Sequence, residues 1–358
     1  MAADKKPLVL ITGLSGYCAA STALAFLNAG YRVRGTLRKE AQMTAWREKY
    51  AQFVDSGLLE FAVVPDMANP GCYEEAVKGV GIFCHMASPF FYGYTDNERD
   101  MLLPALRGTL EALESAHKAE TVKQFILTSS FAAMSDYTKG LWPGKTYSEN
   151  DWCPHTWEEA KNSNDQTFVY VTSKKYSEKA AWDFMAEKKP AFSLTSILPV
   201  HVIGRTDQPI SSLDGLSTSA AWIRHFLDKP FLLPCPIPMM IDVSDVALAH
   251  LRAVEHHPTT AGQRYFVVGA EFSASAVAIA ARKAFPDKEE RFPKPGGEKG
   301  HEWPPHFEWD TSKAERDLGI RWKPLEQTVK EALEQVFELE EEEKAQTIKS
   351  YRSSPVTV

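Results

Sequence analysis

Tyr170 and Lys174 stand four residues apart in YVTSK, residues 170–174. That spacing puts both side chains on one face of a helix, about 6 Å apart along its axis. A lysine so placed can lower the pKa of a phenol by the proximity of its charge. The chain has 12 tyrosines, and no other has lysine at this spacing. Forty residues upstream, Ser130 ends the apolar run FILTSS, residues 125–130, where its hydroxyl can hold a carbonyl oxygen. Ser129 beside it competes for that place, and a serine at a strand end often only caps backbone groups.

These groups need a frame, and LVLITGLSGYCAA, residues 8–20, supplies its first part. Branched apolar residues run into Thr12-Gly13, then Leu14-Ser15-Gly16, then small residues that open a helix, so the pattern is strand, glycine turn, helix. Gly13 allows the turn, Gly16 allows close backbone approach to a pyrophosphate, and the helix N-terminus offers N–H groups to an anion. A second strand at residues 31–36 completes the pattern of a dinucleotide fold. Gly35-Thr36-Leu37-Arg38-Lys39 contains no acid to accept from an adenosine ribose, whereas Arg38 can fork onto a 2′-phosphate. NADPH/NADP is therefore favoured over NADH.

Strand and helix signals then alternate: a helix at 40–54, strand 59–64, a short helix at 70–78, strand 82–87, a helical region at 97–119, strand 125–130, a long connection with a short helix at 157–161, a helix at 168–188 and strand 193–198. This predicts an α/β chain with a doubly wound parallel sheet of Rossmann type, covered by helices on both faces. Ligands bind beyond the carboxyl ends of such strands, where Thr12 to Gly16, Arg38, Asp66, Ser88, Ser129-Ser130 and Pro199 all fall. After Pro199 the rhythm loosens through a Ser-rich segment and the Pro-rich FLLPCPIPMM, residues 231–240, which read as the start of a smaller, mainly helical substrate region. The expected division is 1–200 plus 236–270 for the NADP-binding domain and 201–235 plus 271–358 for the substrate-binding region. The acidic run from Leu339 reads as a solvated helix end.

A net charge of −7 indicates no general polyanion-binding surface, so nucleic acid is not an expected partner. No apolar run approaches membrane-spanning length, and the first strand begins too soon for a signal peptide, so a cytoplasmic protein with no membrane partner is expected. Cys18, Cys72, Cys84, Cys153 and Cys235 are odd in number and free of CxxC, as for reduced thiols. His85 beside Cys84, and His301 with His306, lack the convergence that a metal site needs, and no metal is expected.

Thr12-Gly13-x-x-Gly16-Tyr17, Thr128-Ser129-Ser130, Tyr170-x-x-Ser173-Lys174 with the EKAAWDF that follows, HMASPF (85–90), LPVHVIG (198–204), IDVSDVALAH (241–250) and DTSKAERDLGI (310–320) together resemble the extended short-chain dehydrogenase/reductases. Within them the chain is similar to the dihydroflavonol reductase and cinnamoyl-CoA reductase branch, with its fungal methylglyoxal and ketone reductases. The resemblance implies a catalytic Ser130, Tyr170 and Lys174. Tyr170 would protonate a substrate carbonyl as hydride arrives from NADPH, Ser130 would polarise the oxygen, and Lys174 would hold the nicotinamide ribose and depress the phenol pKa.

It also implies cofactor contacts at Gly13, Ser15, Gly16, Tyr17, Cys18, Asp66, Met67, Ala87, Ser88, Pro199, Val202 and Ser219. Tyr17-Cys18 replaces a Phe-Ile type of pair, which suggests sensitivity to thiol reagents. Gln42 stands where some relatives have a second base, and Lys39 can substitute for it. Phe90, Phe91, Tyr92 and Tyr94 follow the fourth strand and can wall an apolar substrate pocket, with Phe131 and Trp222 as further candidates. Monomer and homodimer both occur in this branch.

A small-molecule carbonyl reductase is thus the expected function. A sugar-nucleotide epimerase or dehydratase would bring an acid or threonine beside the serine, where Phe131-Ala132-Ala133 is apolar. A non-enzymatic NADP sensor would not need the tyrosine and lysine.

Overall fold

Seven apolar strands form one parallel sheet. The computed structural model describes residues 6–229, 231–232, 235–295 and 303–353, so Leu233, Pro234 and His301 lie outside the described residues. The chain forms two compact units: Met1–Val200 with Ser244–Val268 and Pro304–Arg321, and His201–Val243 with Gly269–Trp303 and Trp322–Val358.

The first unit contains strands β1 (Leu8–Ile11), β2 (Arg32–Leu37), β3 (Leu59–Val63), β4 (Val80–His85), β5 (Gln124–Thr128), β6 (Ser193–Pro199) and β7 (Gln263–Val267). They lie in the order β7-β6-β5-β4-β1-β2-β3, every pair parallel. The order reverses between β1 and β4, and that reversal opens a crevice at the strand ends. Helices α1 (Tyr17–Asn28), α2 (Leu103–Ala119) and α3 (Gln166–Lys188) cover the faces. Phe83 stacks on Phe125 at 4.9 Å and Phe125 on Phe192 at 5.6 Å, filling one face with rings carried by neighbouring strands.

Gly35 in β2 is required by Leu14: a Cβ there would sit 2.2 Å from Leu14 Cδ2, and Leu14 is fully buried. Gly35→Ala is expected to cost about 1–3 kcal/mol through overpacking, read as a lower urea midpoint at unchanged m-value.

Several segments differ from expectation. Residues 40–54 form two helices, Ala41–Lys49 and Ala51–Asp55, because Tyr50 leaves helical geometry (φ −120°, ψ 35°) to tuck its ring under Trp46. Residues 70–78 are successive turns rather than a helix, with Gly71 and Gly79 at positive φ. Residues 304–321 fold with the first unit, not with the substrate region. Glu308–Trp309 pairs in parallel with Thr146–Tyr147, and Phe307 N–H donates to Leu141 O.

The second unit has its own sheet, in which Met239–Asp242 pairs in parallel with His201–Ile203 and antiparallel with Ala270–Glu271. Ile203, Met240, Phe272, Val329 and Leu333 share its core. Glu340, from the acidic run, takes both terminal nitrogens of Arg291, so that run is only partly a solvated surface. Among the described residues no helix is long and apolar enough to cross a membrane.

Candidate active site

The glycine turn is drawn tight by residues distant in sequence. Gly13 has φ +69°, and a Cβ on it would meet Ala87 at 3.2 Å, so glycine alone lets the end of β1 lie against the segment after β4. Gly16 donates its N–H to Gly13 O at 2.8 Å, and a Cβ there would meet that carbonyl at 3.0 Å; the residue serves turn closure. It caps α1 without a side-chain bond, and the first turn carries no acid.

Thr12 Oγ1 accepts N–H from Met86 at 2.9 Å and Ala87 at 3.0 Å and lies 3.0 Å from His85 Nδ1. Burial holds His85 down to about 3, so the imidazole is neutral and braces this loop.

A cavity of about 460 Å³ lies at these strand ends, entirely within the first unit. Gly13, Ser15, Gly16, Arg38, Asp66, Met67, Ala87 and Ser88 all line it. Arg38 is exposed, and its guanidinium has no ion pair among the described residues. Gln42 Oε1 accepts the N–H groups of Arg38 and Lys39, at 3.0 and 3.2 Å, so Gln42 shapes the loop after β2 instead of adding a charge. Lys39 does not reach the cavity wall. The lack of a carboxylate at the end of β2 and the unpaired guanidinium suit a 2′-phosphorylated dinucleotide.

Beyond β5 the two serines separate. Ser129 is buried, its hydroxyl donating to Glu178 Oε2 at 2.7 Å. Ser130 caps the turn Phe131–Ala133 by accepting Ala132 N–H at 3.1 Å, and its hydroxyl is close enough to the Tyr170 phenol to act on its pKa, lowering it. Ser130 is therefore the serine that meets the phenol.

Asp165 caps α3 by accepting from Thr167 and Phe168 N–H, and the helix then carries Tyr170 and Lys174 on one side. Part of Tyr170 remains open, yet the protein around the phenol pushes it up to about 12 by desolvation, against the influence of the Ser130 hydroxyl. The expected lowering by Lys174 is not among the influences on the phenol. Lys174 is itself pushed down to about 8 by burial, and its Nζ donates to Ser88 Oγ at 3.3 Å, on the cavity wall.

Phe90 is 46% exposed and meets Tyr170 edge to face at 5.2 Å, while its neighbour Phe91, not Phe90 itself, lines the cavity. Phe131 does not serve there: it is buried, with its ring against Tyr147, Phe266 and Phe307 at 5.0–5.7 Å, and it belongs to the core. Trp222 packs with His201, Phe226 and Phe272 within the second unit, where Val202 pairs with Ile241 and Ser219 lies in the helix Thr218–Ala221. Pro199 ends β6, opposite Val267. Tyr17 is buried at the start of α1. Burial pushes the Cys18 thiol up to about 12, so the expected thiol sensitivity loses its chemical basis.

In the sequence Gln42 stands out only for the base it replaces, and Glu178 not at all as a site residue. Glu178 carried a signal, as an acid one turn beyond Lys174 on a packed helix.

The sequence profile of the NAD dependent epimerase/dehydratase family matches residues 9–269. The chain belongs to this family. Among individual members it is 34% identical over 345 residues to the ketoreductase azaE of Aspergillus niger, covering 92% of this chain and 97% of that protein. To the NADPH-dependent methylglyoxal reductase GRE2 of Saccharomyces cerevisiae it is 31% identical over 344 residues, covering 93% and 98%. The crystal structure of yeast methylglyoxal/isovaleraldehyde reductase Gre2 complexed with NADPH superposes with a TM-score of 0.83 at 30% identity, covering 94% of this chain and 99% of that one. This family member thus falls among extended short-chain dehydrogenase/reductases of the fungal carbonyl-reductase type.

Proposed function

We propose that this protein reduces a ketone or aldehyde to an alcohol with NADPH. The observation that carries this reading is the junction of Ser130, Tyr170 and Lys174 with the cavity through Ser88. NADPH, when bound, supplies the hydride. Gly13, Ser15 and Gly16 would hold its pyrophosphate, Arg38 its 2′-phosphate, and Asp66 with Met67 its adenosine end. Lys174 and Ser88 would hold the nicotinamide ribose.

A phenol held up to about 12 stays protonated at neutral pH, which is the form a proton donor to a carbonyl oxygen must have. Ser130 would hold the same oxygen and then the phenolate left on Tyr170. The Lys174 ammonium favours that phenolate by charge. Phe90 offers an apolar edge to the substrate beside Tyr170. The reductases azaE and GRE2 support the same activity by similarity.

The test is loss of absorbance at 340 nm with NADPH or NADH and a panel of ketones, aldehydes and diketones. Oxidation of NADPH that depends on added carbonyl is expected. Its rate should fall as pH rises through about 8, where Lys174 loses its proton and charge. Binding of NADPH without turnover on any carbonyl would overturn the assignment.

A further inference from the structure

Glu178 is a carboxylate that the reduction chemistry leaves without a role. It is 1% exposed, yet its two oxygens accept four hydrogen bonds. Ser129 Oγ donates at 2.7 Å, Trp182 Nε1 at 3.2 Å, and Arg264 Nε and Nη2 at 2.8 and 3.1 Å. Arg264 comes from β7, lies 3.8 Å over the Trp152 ring and also donates to Glu149 O and to Asp151 O, the latter at 2.9 Å. One carboxylate therefore ties α3 to the end of β5 and, through Arg264, to β7 and the 149–151 loop.

The two ends of this tie lie next to the reacting groups. Ser129 is covalently joined to Ser130, and Thr128 on its other side is held by His250 Nε2 at 2.7 Å. Lys174 is one helical turn before Glu178. Acting on the Lys174 ammonium are Cys18 from α1, His85 from the end of β4, Ser88 from the following loop and Glu178 from α3. Burial keeps the Cys18 thiol, the His85 imidazole and the Tyr170 phenol uncharged at neutral pH. Among the described residues Glu178 is then the source of negative charge acting on the ammonium.

We propose that Glu178 is a positioning residue for carbonyl reduction, locking the Ser129-Ser130 strand end and the Lys174 turn of α3 in register on either side of Tyr170. Its negative charge, one turn from Lys174, also favours the ammonium. This role rests on the reductase function proposed above. A carboxylate of this kind is harder to replace than an apolar residue, because removing its charge leaves Arg264 buried without its partner.

The experiment compares wild type, Glu178→Gln, Glu178→Asp and Ser129→Ala by kcat and KM across pH, NADPH dissociation constant and melting temperature. For Glu178→Gln, kcat should fall about tenfold or more, and the basic limb of the profile should move down by about one pH unit. Glu178→Asp should return the limb toward wild type, which a purely structural loss would not do. Ser129→Ala keeps the Glu178–Arg264 pair, so it folds even where Glu178→Gln does not. It should lower kcat about three- to tenfold through the misplaced Ser130, with NADPH affinity within about twofold and the limb unmoved. A superimposable pH profile in a folded Glu178→Gln protein, or wild-type kcat in Ser129→Ala, overturns the role of Glu178. Absence of wild-type turnover on any carbonyl overturns the reductase assignment instead.

Discussion

Tyr170→Phe should abolish carbonyl reduction while leaving NADPH binding in place. The substitution removes one oxygen and keeps the ring that packs edge to face on Phe90 at 5.2 Å, so the fold and the pocket wall are preserved. What is lost is the proton donor and the influence of the Ser130 hydroxyl on it. Positioned proton transfer contributes about 10²- to 10⁴-fold in rate, and kcat is expected to fall by that range. NADPH affinity should stay within about threefold, since the cavity wall and the Lys174–Ser88 contact are untouched. Stopped-flow or steady-state loss of absorbance at 340 nm, with cofactor binding followed by fluorescence, measures both. Turnover near the wild-type rate would remove Tyr170 from the chemistry and pass the proton to a solvent molecule.

The second large effect is on cofactor choice. Arg38 follows β2 on the cavity wall, exposed and without an ion pair among the described residues, in a segment that holds no acid. A charge-assisted, forked hydrogen bond to a 2′-phosphate is worth about 1.5–3 kcal/mol. Arg38→Ala should therefore raise the KM for NADPH by about ten- to a hundredfold and that for NADH by less than about threefold. Because Gln42 holds the Arg38 and Lys39 backbone through its own amide oxygen, the loop keeps its shape when the side chain is removed. Gln42 is the control: Gln42→Ala should weaken both dinucleotides together. An equal effect of Arg38→Ala on NADPH and NADH would withdraw the 2′-phosphate from Arg38.

Much of this site was legible before any coordinates. The glycine turn after β1, the unpaired base after β2, the serine pair after β5 and the Tyr170, Lys174 spacing are all local patterns. Backbone geometry alone converts them to positions: period 2 or 3.6 sets which residues share a face, and chain reversal between parallel strands sets which ends are adjacent. The choice between Ser129 and Ser130 was not local. It depends on Glu178 and Tyr170, 49 and 40 residues later, reaching the same strand end from α3.

Phe131 shows the limit from the other side. Beside a candidate catalytic serine it reads as a pocket residue, but strands and loops up to Phe307 close around its ring. Residues 304–321 likewise join the first unit because they pair with a two-residue strand at Thr146–Tyr147, far too short to stand out in sequence.

The sequence by itself determined the doubly wound parallel sheet, the glycine turn after β1, the basic residue after β2 and the Tyr170, Lys174 spacing, because each depends on residues within one or two turns or strands of one another; the strand order that opens the crevice came only from the fold. Only the tertiary structure decided the electrostatic state of those residues. Burial raises the Tyr170 phenol to about 12, lowers Lys174 to about 8 and silences His85 and Cys18. Desolvation is the sum of all atoms packed around a group, from every part of the chain, and no spacing within a segment encodes it.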